Sequence, residues 1–83
     1  TKPDPALYWT ALSWMRVQPE HAIAIEDSYN GMLAAKRAGL RCVVVPHALT
    51  RHMNFDLADL RLNSLADLSL DDLLRHFNGH LSS

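Results

Sequence analysis

The sequence predicts an α/β fold with parallel strands, and three observations carry that prediction. Ala22-Ile23-Ala24-Ile25 and Cys42-Val43-Val44-Val45 are continuous apolar runs without alternation, as strands covered on both faces require. A stretch of helix formers from Tyr29 to Ala38, closed by Gly39, lies between them. Strand, helix and strand within about 24 residues form one βαβ unit, a crossover that is almost always right-handed with its strands parallel.

The remaining elements follow in chain order. Asp4 is placed to cap a helix opened by Pro5, because its carboxylate accepts from free backbone N–H groups while proline gives up a donor that has no partner there. Leu7, Ala11, Trp14 and Met15 recur at helical spacing, with Trp14 expected in the core and Trp9 on a face where further parts would pack. This helix should end near Arg16, before the turn-like Gln18-Pro19-Glu20. After the second strand, His47 to Ala58 shows no clear period and reads as a surface loop, with room for a helical turn near Arg51 to Asn54. Asp59-Leu60-Arg61-Leu62 alternates as an edge strand does. Asn63 to Leu68 turns the chain, and Ser69 caps a helix through about Phe77 whose buried stripe is Leu70, Leu73, Leu74 and Phe77.

Composition narrows the possible functions. The 83 residues, with 48% apolar side chains and a formal charge of −1, make one small domain that buries only about 60% of its unfolded surface. Eight Lys plus Arg against nine Asp plus Glu give no charge for nucleic acid or a membrane surface. The single Cys42 excludes a disulfide framework and suits a reducing cytoplasm. No stretch approaches the roughly 18 apolar residues of a membrane span, and the first residues have neither the basic start nor the apolar centre expected of a signal peptide. His76 and His80 stand four apart, and His47 and His52 share a loop, but Gly79 should break the helix between the first pair. No Cys or acid completes a zinc set, so the histidines read as solvated.

The informative position is Glu26-Asp27, directly after a buried parallel strand, because open α/β sheets bind ligands beyond the carboxyl ends of their strands. Two acids there, followed by Ser28, Asn30 and Gly31 at a helix start, offer oxygen ligands for Mg²⁺ beside N–H groups and a dipole that favour phosphate. A plainer reading stands beside it: Asp27 or Ser28 simply caps the helix and Glu26 is solvated. Lys2, in Lys2-Pro3-Asp4-Pro5, precedes a helix packed near the same strand end and could neutralise a phosphoryl group or a carboxylate nucleophile, or be an exposed terminal lysine.

Lys2-Pro3-Asp4-Pro5, Ile25-Glu26-Asp27-Ser28-Tyr29-Asn30-Gly31, Ala34-Ala35-Lys36-Arg37-Ala38-Gly39-Leu40, Val43-Val44-Val45-Pro46 and the segment Ala58 to Leu68 together resemble the C-terminal part of haloacid dehalogenase (HAD) superfamily hydrolases, closest to the β-phosphoglucomutase-like sugar phosphatases. The resemblance implies a partial Rossmann-like, three-layer core over residues 1–83 that lacks the N-terminal half and the cap domain. It also implies a Mg²⁺-dependent phosphatase or phosphomutase of small phosphorylated metabolites working through an aspartyl-phosphate. By position, Lys2 matches the lysine that contacts nucleophile and phosphoryl group, Asp27 the acid that holds Mg²⁺, and Glu26 the neighbouring acid that shares this role. Ser28 and Asn30 fall in the loop that supports the metal site and borders the phosphate.

The family's Asp-x-Asp motif, which supplies nucleophile and acid/base, is nowhere in these residues, and neither is its Ser/Thr motif. The chain is therefore expected to be a fragment that is inactive alone and needs the N-terminal part of the same protein. In the family the strand bearing the nucleophile lies beside the one matching Ala22 to Ile25, so an open apolar edge is expected there. A non-catalytic module pairing with a partner chain through that edge is the rival expectation.

Overall fold

The computed structural model describes residues 3–67 and 69–82. Three helices, α1 (Ala6–Met15), α2 (Tyr29–Arg37) and α3 (Leu70–Ser82), accompany three strands, β1 (Ile23–Glu26), β2 (Arg41–Val44) and β3 (Leu60–Arg61), with single 3-10 turns at Pro19–His21 and Leu65–Asp67. The sheet order is β1-β2-β3 and both pairings are parallel, so the βαβ reading holds. No described helix is long and apolar enough to cross a membrane.

Register sorts the side chains into three layers. Ala24 lies beside Cys42 and Glu26 beside Val44, and these positions share one face of the pleat. That face carries the larger core, where Ala24, Cys42 and Val44 pack against Leu12 of α1 and Met32 and Ala35 of α2. On the opposite face Val43 meets Leu73 and Phe77 of α3, with Ile23, Val45, Leu60 and Leu62 around them. Gly39 closes α2 at φ 92, the left-handed region where a Cβ is costly. Ser28 opens that helix, its Oγ accepting the Gly31 N–H at 3.1 Å.

Several expectations need correction. On α1 the buried residue is Leu12, with Tyr8 partly covered beside it, whereas Leu7, Trp14 and Met15 are exposed and Trp14 keeps 86% of its surface. The helix is apolar on all sides, so its period does not choose a face, and the sheet takes the Tyr8–Leu12 side. Trp14 is thus outside the core, and Trp9 is also exposed. Pro5 occupies the position before the first helical residue rather than that residue, and Asp4 Oδ1 accepts the Ala6 N–H at 2.9 Å. Ile25 is half exposed because its neighbour Val43, but not Ile25 itself, is covered by α3. The 47–58 segment is irregular with hydrogen-bonded turns at Thr50, Arg51 and Met53, as expected, yet Thr50 and Phe55 within it are buried rather than at the surface. In α3, Leu74 is exposed and the helix runs on through Gly79, since one glycine costs only about 1 kcal/mol. The Leu70 and His80 side chains and residue Leu68 lie outside what is described.

β1 forms one edge of the sheet, and among the described residues nothing pairs with its outer side. Exposed Leu7, Trp9, Trp14, Met15 and Ile25 belong to α1 and β1, so the apolar open edge expected from the sequence is present.

Candidate functional site

The carboxyl end of β1 is fixed by its neighbour: the Val45 N–H donates to the Glu26 carbonyl at 2.8 Å, just beyond the β1–β2 ladder. Because Glu26 shares a pleat face with Val44, its side chain points toward the helix layer. There the Tyr8 O–H of α1 donates to Glu26 Oε2. The carboxyl group also lies over the first turn of α2, so close that a Cβ at position 31 would stand 2.8 Å from Glu26 Cδ, and only glycine leaves that space. Burial raises the Glu26 pKa above the usual carboxylate range, and the negative charge of Asp27 raises it further.

The next residue points elsewhere. Asp27 is exposed, and its Oδ2 stands 3.4 Å from His47 Nε2. His47 is held by its own turn: its Nδ1 accepts the Leu49 N–H at 3.1 Å, its N–H donates to Thr50 Oγ1 at 3.1 Å, and its carbonyl accepts from Thr50 and Arg51. With Nδ1 acting as acceptor, the ring proton of the neutral form sits on Nε2, the nitrogen facing Asp27.

Two adjacent acids therefore serve different surroundings, Glu26 folded inward on Tyr8 and Asp27 outward beside His47. The sequence reading brought Glu26, Asp27 and the α2 start together correctly but left His47 among the solvated histidines. Its signal was position alone, three residues past the end of the strand whose partner ends in Glu26.

Ser28 acts as the N-cap of α2, so the capping half of the plainer reading holds for it. Asn30 is exposed and lines two cavities. One, about 500 Å³, runs along Pro3, Asp4, Leu7, Gly31 and Ala34; the other, about 340 Å³, lies against Tyr29, Met53 and Asn54. Lys2 lies outside the described residues; its neighbour Pro3 accepts a hydrogen bond from Arg37 Nη1 at 2.8 Å, which ties the segment to α2.

The donor chemistry suits Mg²⁺, which prefers carboxylate oxygen and keeps several ligands from water or substrate. Among the described residues no group of three or more His, Cys, Asp or Glu could hold a metal, so Glu26 and Asp27 can supply only part of a coordination shell.

Comparison with known proteins places this arrangement. Residues 1–45 match the family model of the haloacid dehalogenase-like hydrolases. The chain belongs to that family. Among relatives, the protein YhcW of Bacillus subtilis (strain 168) is 47% identical over 77 residues, covering 93% of this chain and 35% of its own. Hexitol phosphatase B of Escherichia coli (strain K12) is 41% identical over 75 residues, covering 89% of this chain and 34% of its own. The crystal structure of CbbY from Rhodobacter sphaeroides in complex with phosphate superposes with a TM-score of 0.82 at 51% identity, over 88% of this chain and 33% of that one. The chain thus spans about a third of the length of these relatives.

Proposed function

We propose that residues 1–83 form the C-terminal part of the core domain of a Mg²⁺-dependent phosphatase that hydrolyses small phosphorylated metabolites of the sugar-phosphate class. The observation that carries this reading is the Glu26-Asp27 pair at the carboxyl end of a parallel strand, beside the capped N-terminus of α2. The names of relatives such as hexitol phosphatase B point to the same chemistry.

Asp27, exposed beside His47, would hold Mg²⁺, with Glu26 as the adjoining acid. When bound, the metal offsets the negative charge that gathers on the transferring phosphoryl oxygens. Lys2 would add a cation on the nucleophile side, Ser28 would fix the loop by capping α2, and Asn30 would border the phosphate from the helix start. An aspartate outside this chain would attack phosphorus as the ester P–O bond breaks and the alcohol leaves with a proton, and water would then cleave the aspartyl-phosphate to release inorganic phosphate. A reducing cytoplasm suits the single buried Cys42.

The test is phosphate release by the full-length protein. Activity should require Mg²⁺, vanish with chelator, and fall by about a hundredfold or more in Asp27→Asn. Retained activity in that variant would overturn the metal assignment.

A further inference from the structure

We propose a second anion-binding subsite next to the acid pair, formed by Arg51, Arg61, His47 and Asn63, that takes a second acidic group of the substrate. It rests on the phosphatase reading above. These residues, with Pro46 and Ala48, line one cavity of about 330 Å³ beyond the carboxyl ends of β2 and β3. Open α/β sheets bind ligands on this side, and His47 is a shared wall, standing 3.4 Å from Asp27 Oδ2.

The Arg61 guanidinium is held in place, the Arg51 side chain is exposed beside it, and neither carries a counter-charge among the described residues. Arg61 lies over the Phe55 ring, 5.2 Å from its centroid, and its Nη2 donates to the Arg51 carbonyl at 2.9 Å. That carbonyl belongs to the turn that also holds His47. The ion pairs among the described residues involve Lys36, Arg41, His47 and Arg75, and none involves Arg51 or Arg61. In a chain whose total charge is −1, two unpaired arginines in one cavity are a local excess. Guanidinium groups bind phosphate or carboxylate through paired N–H donors, and the Asn63 amide offers a neutral donor beside them. A phosphate ester carrying a second phosphate or a carboxylate would place one group at Asp27 and the other here.

The experiment compares full-length wild-type and Arg51→Gln proteins on fructose 1,6-bisphosphate, 6-phosphogluconate and fructose 6-phosphate. Arg51 serves its neighbours through its backbone carbonyl, which glutamine keeps. The ratio of kcat/KM for a doubly acidic ester to that for fructose 6-phosphate should fall about tenfold or more, through KM. The ester that loses shows whether phosphate or carboxylate is the second group. Parallel losses on all three esters, or none, overturn the subsite. Should the wild type turn over none of them, the phosphatase reading fails, and titration calorimetry with fructose 1,6-bisphosphate reads the subsite separately. Affinity about tenfold weaker in Arg51→Gln supports it; equal affinity, or no binding to wild type, overturns it.

Discussion

Replacing Gly31 by alanine separates the needs of α2 from those of the site it borders. Gly31 sits in the first turn of α2 without a positive φ, so the helix alone would gain up to about 1 kcal/mol from alanine. The new Cβ would meet the Glu26 carboxyl group, and the shift that clears it is expected to take the carboxyl group off the Tyr8 hydroxyl. A hydrogen bond to a charged acceptor contributes about 1.5–3 kcal/mol, and partial exposure places this one toward the lower end. The balance is a net loss of about 0.5–2 kcal/mol, read by urea denaturation of the full-length protein. The larger effect should be functional, because a displaced Glu26 no longer adjoins Asp27 as before, and the Mg²⁺ needed for half-maximal phosphate release should rise about tenfold. In a Tyr8→Phe background, where the hydrogen bond is already gone, Gly31→Ala should lose most of its cost, a coupling that a double-mutant cycle measures. A variant about 1 kcal/mol more stable than wild type, with an unchanged Mg²⁺ requirement, would show that the carboxyl group does not press on α2.

Three further outcomes follow from the same geometry. Leu12→Ala should cost about 2–5 kcal/mol because Leu12 is buried, whereas Trp14→Gln on the exposed side of the same helix should stay within about 0.5 kcal/mol in the isolated 83-residue chain; the two denaturation midpoints check this. Burial pushes the Cys42 thiol up to about 11, with the charges of Glu26 and Asp59 adding to it and that of Lys36 opposing, so at pH 8 about one part in a thousand is thiolate. A thiol-specific chromogenic reagent should label it only as the protein unfolds. Burial also raises the Asp59 pKa, but the Lys36 hydrogen bond, the Cys42 N–H and the charges of Lys36 and Arg41 together outweigh it and hold the group below its usual 3.8. Its stabilisation is therefore present above that value and is lost as pH falls through the lowered one. Asp59→Asn should cost about 1–3 kcal/mol at pH 7, and the gap to wild type should close only as pH falls well below the ordinary 3.8.

The parts legible in the sequence were those where one local signal settles the outcome. Unbroken apolar runs at Ile23 to Ile25 and Cys42 to Val44 suit strands of a parallel sheet, and both became paired parallel strands, β1 at its edge and β2 inside it, while Gly39 ended α2 because few other residues adopt its backbone. The acid pair was legible because strand end and helix start are defined by those same signals. What escaped depended on tertiary choices. Helix α1 offers Trp, Leu and Met all round, and which side is covered is set by the sheet it meets rather than by its own period. Phe55 and Thr50 are buried within an irregular loop, where pattern carries no information. His47 reaches Asp27 through a turn built from its own backbone and Thr50, contacts that no spacing rule encodes.

The single bond from the Val45 N–H to the Glu26 carbonyl makes one amide a reporter for the whole strand end. That proton can exchange with solvent only when the carboxyl ends of β1 and β2 part, the same opening that would let Glu26 and Asp27 drift from the start of α2. Its protection against exchange therefore reports how strongly the assembled acid pair is favoured over the opened strand end, independently of whether any substrate is ever turned over.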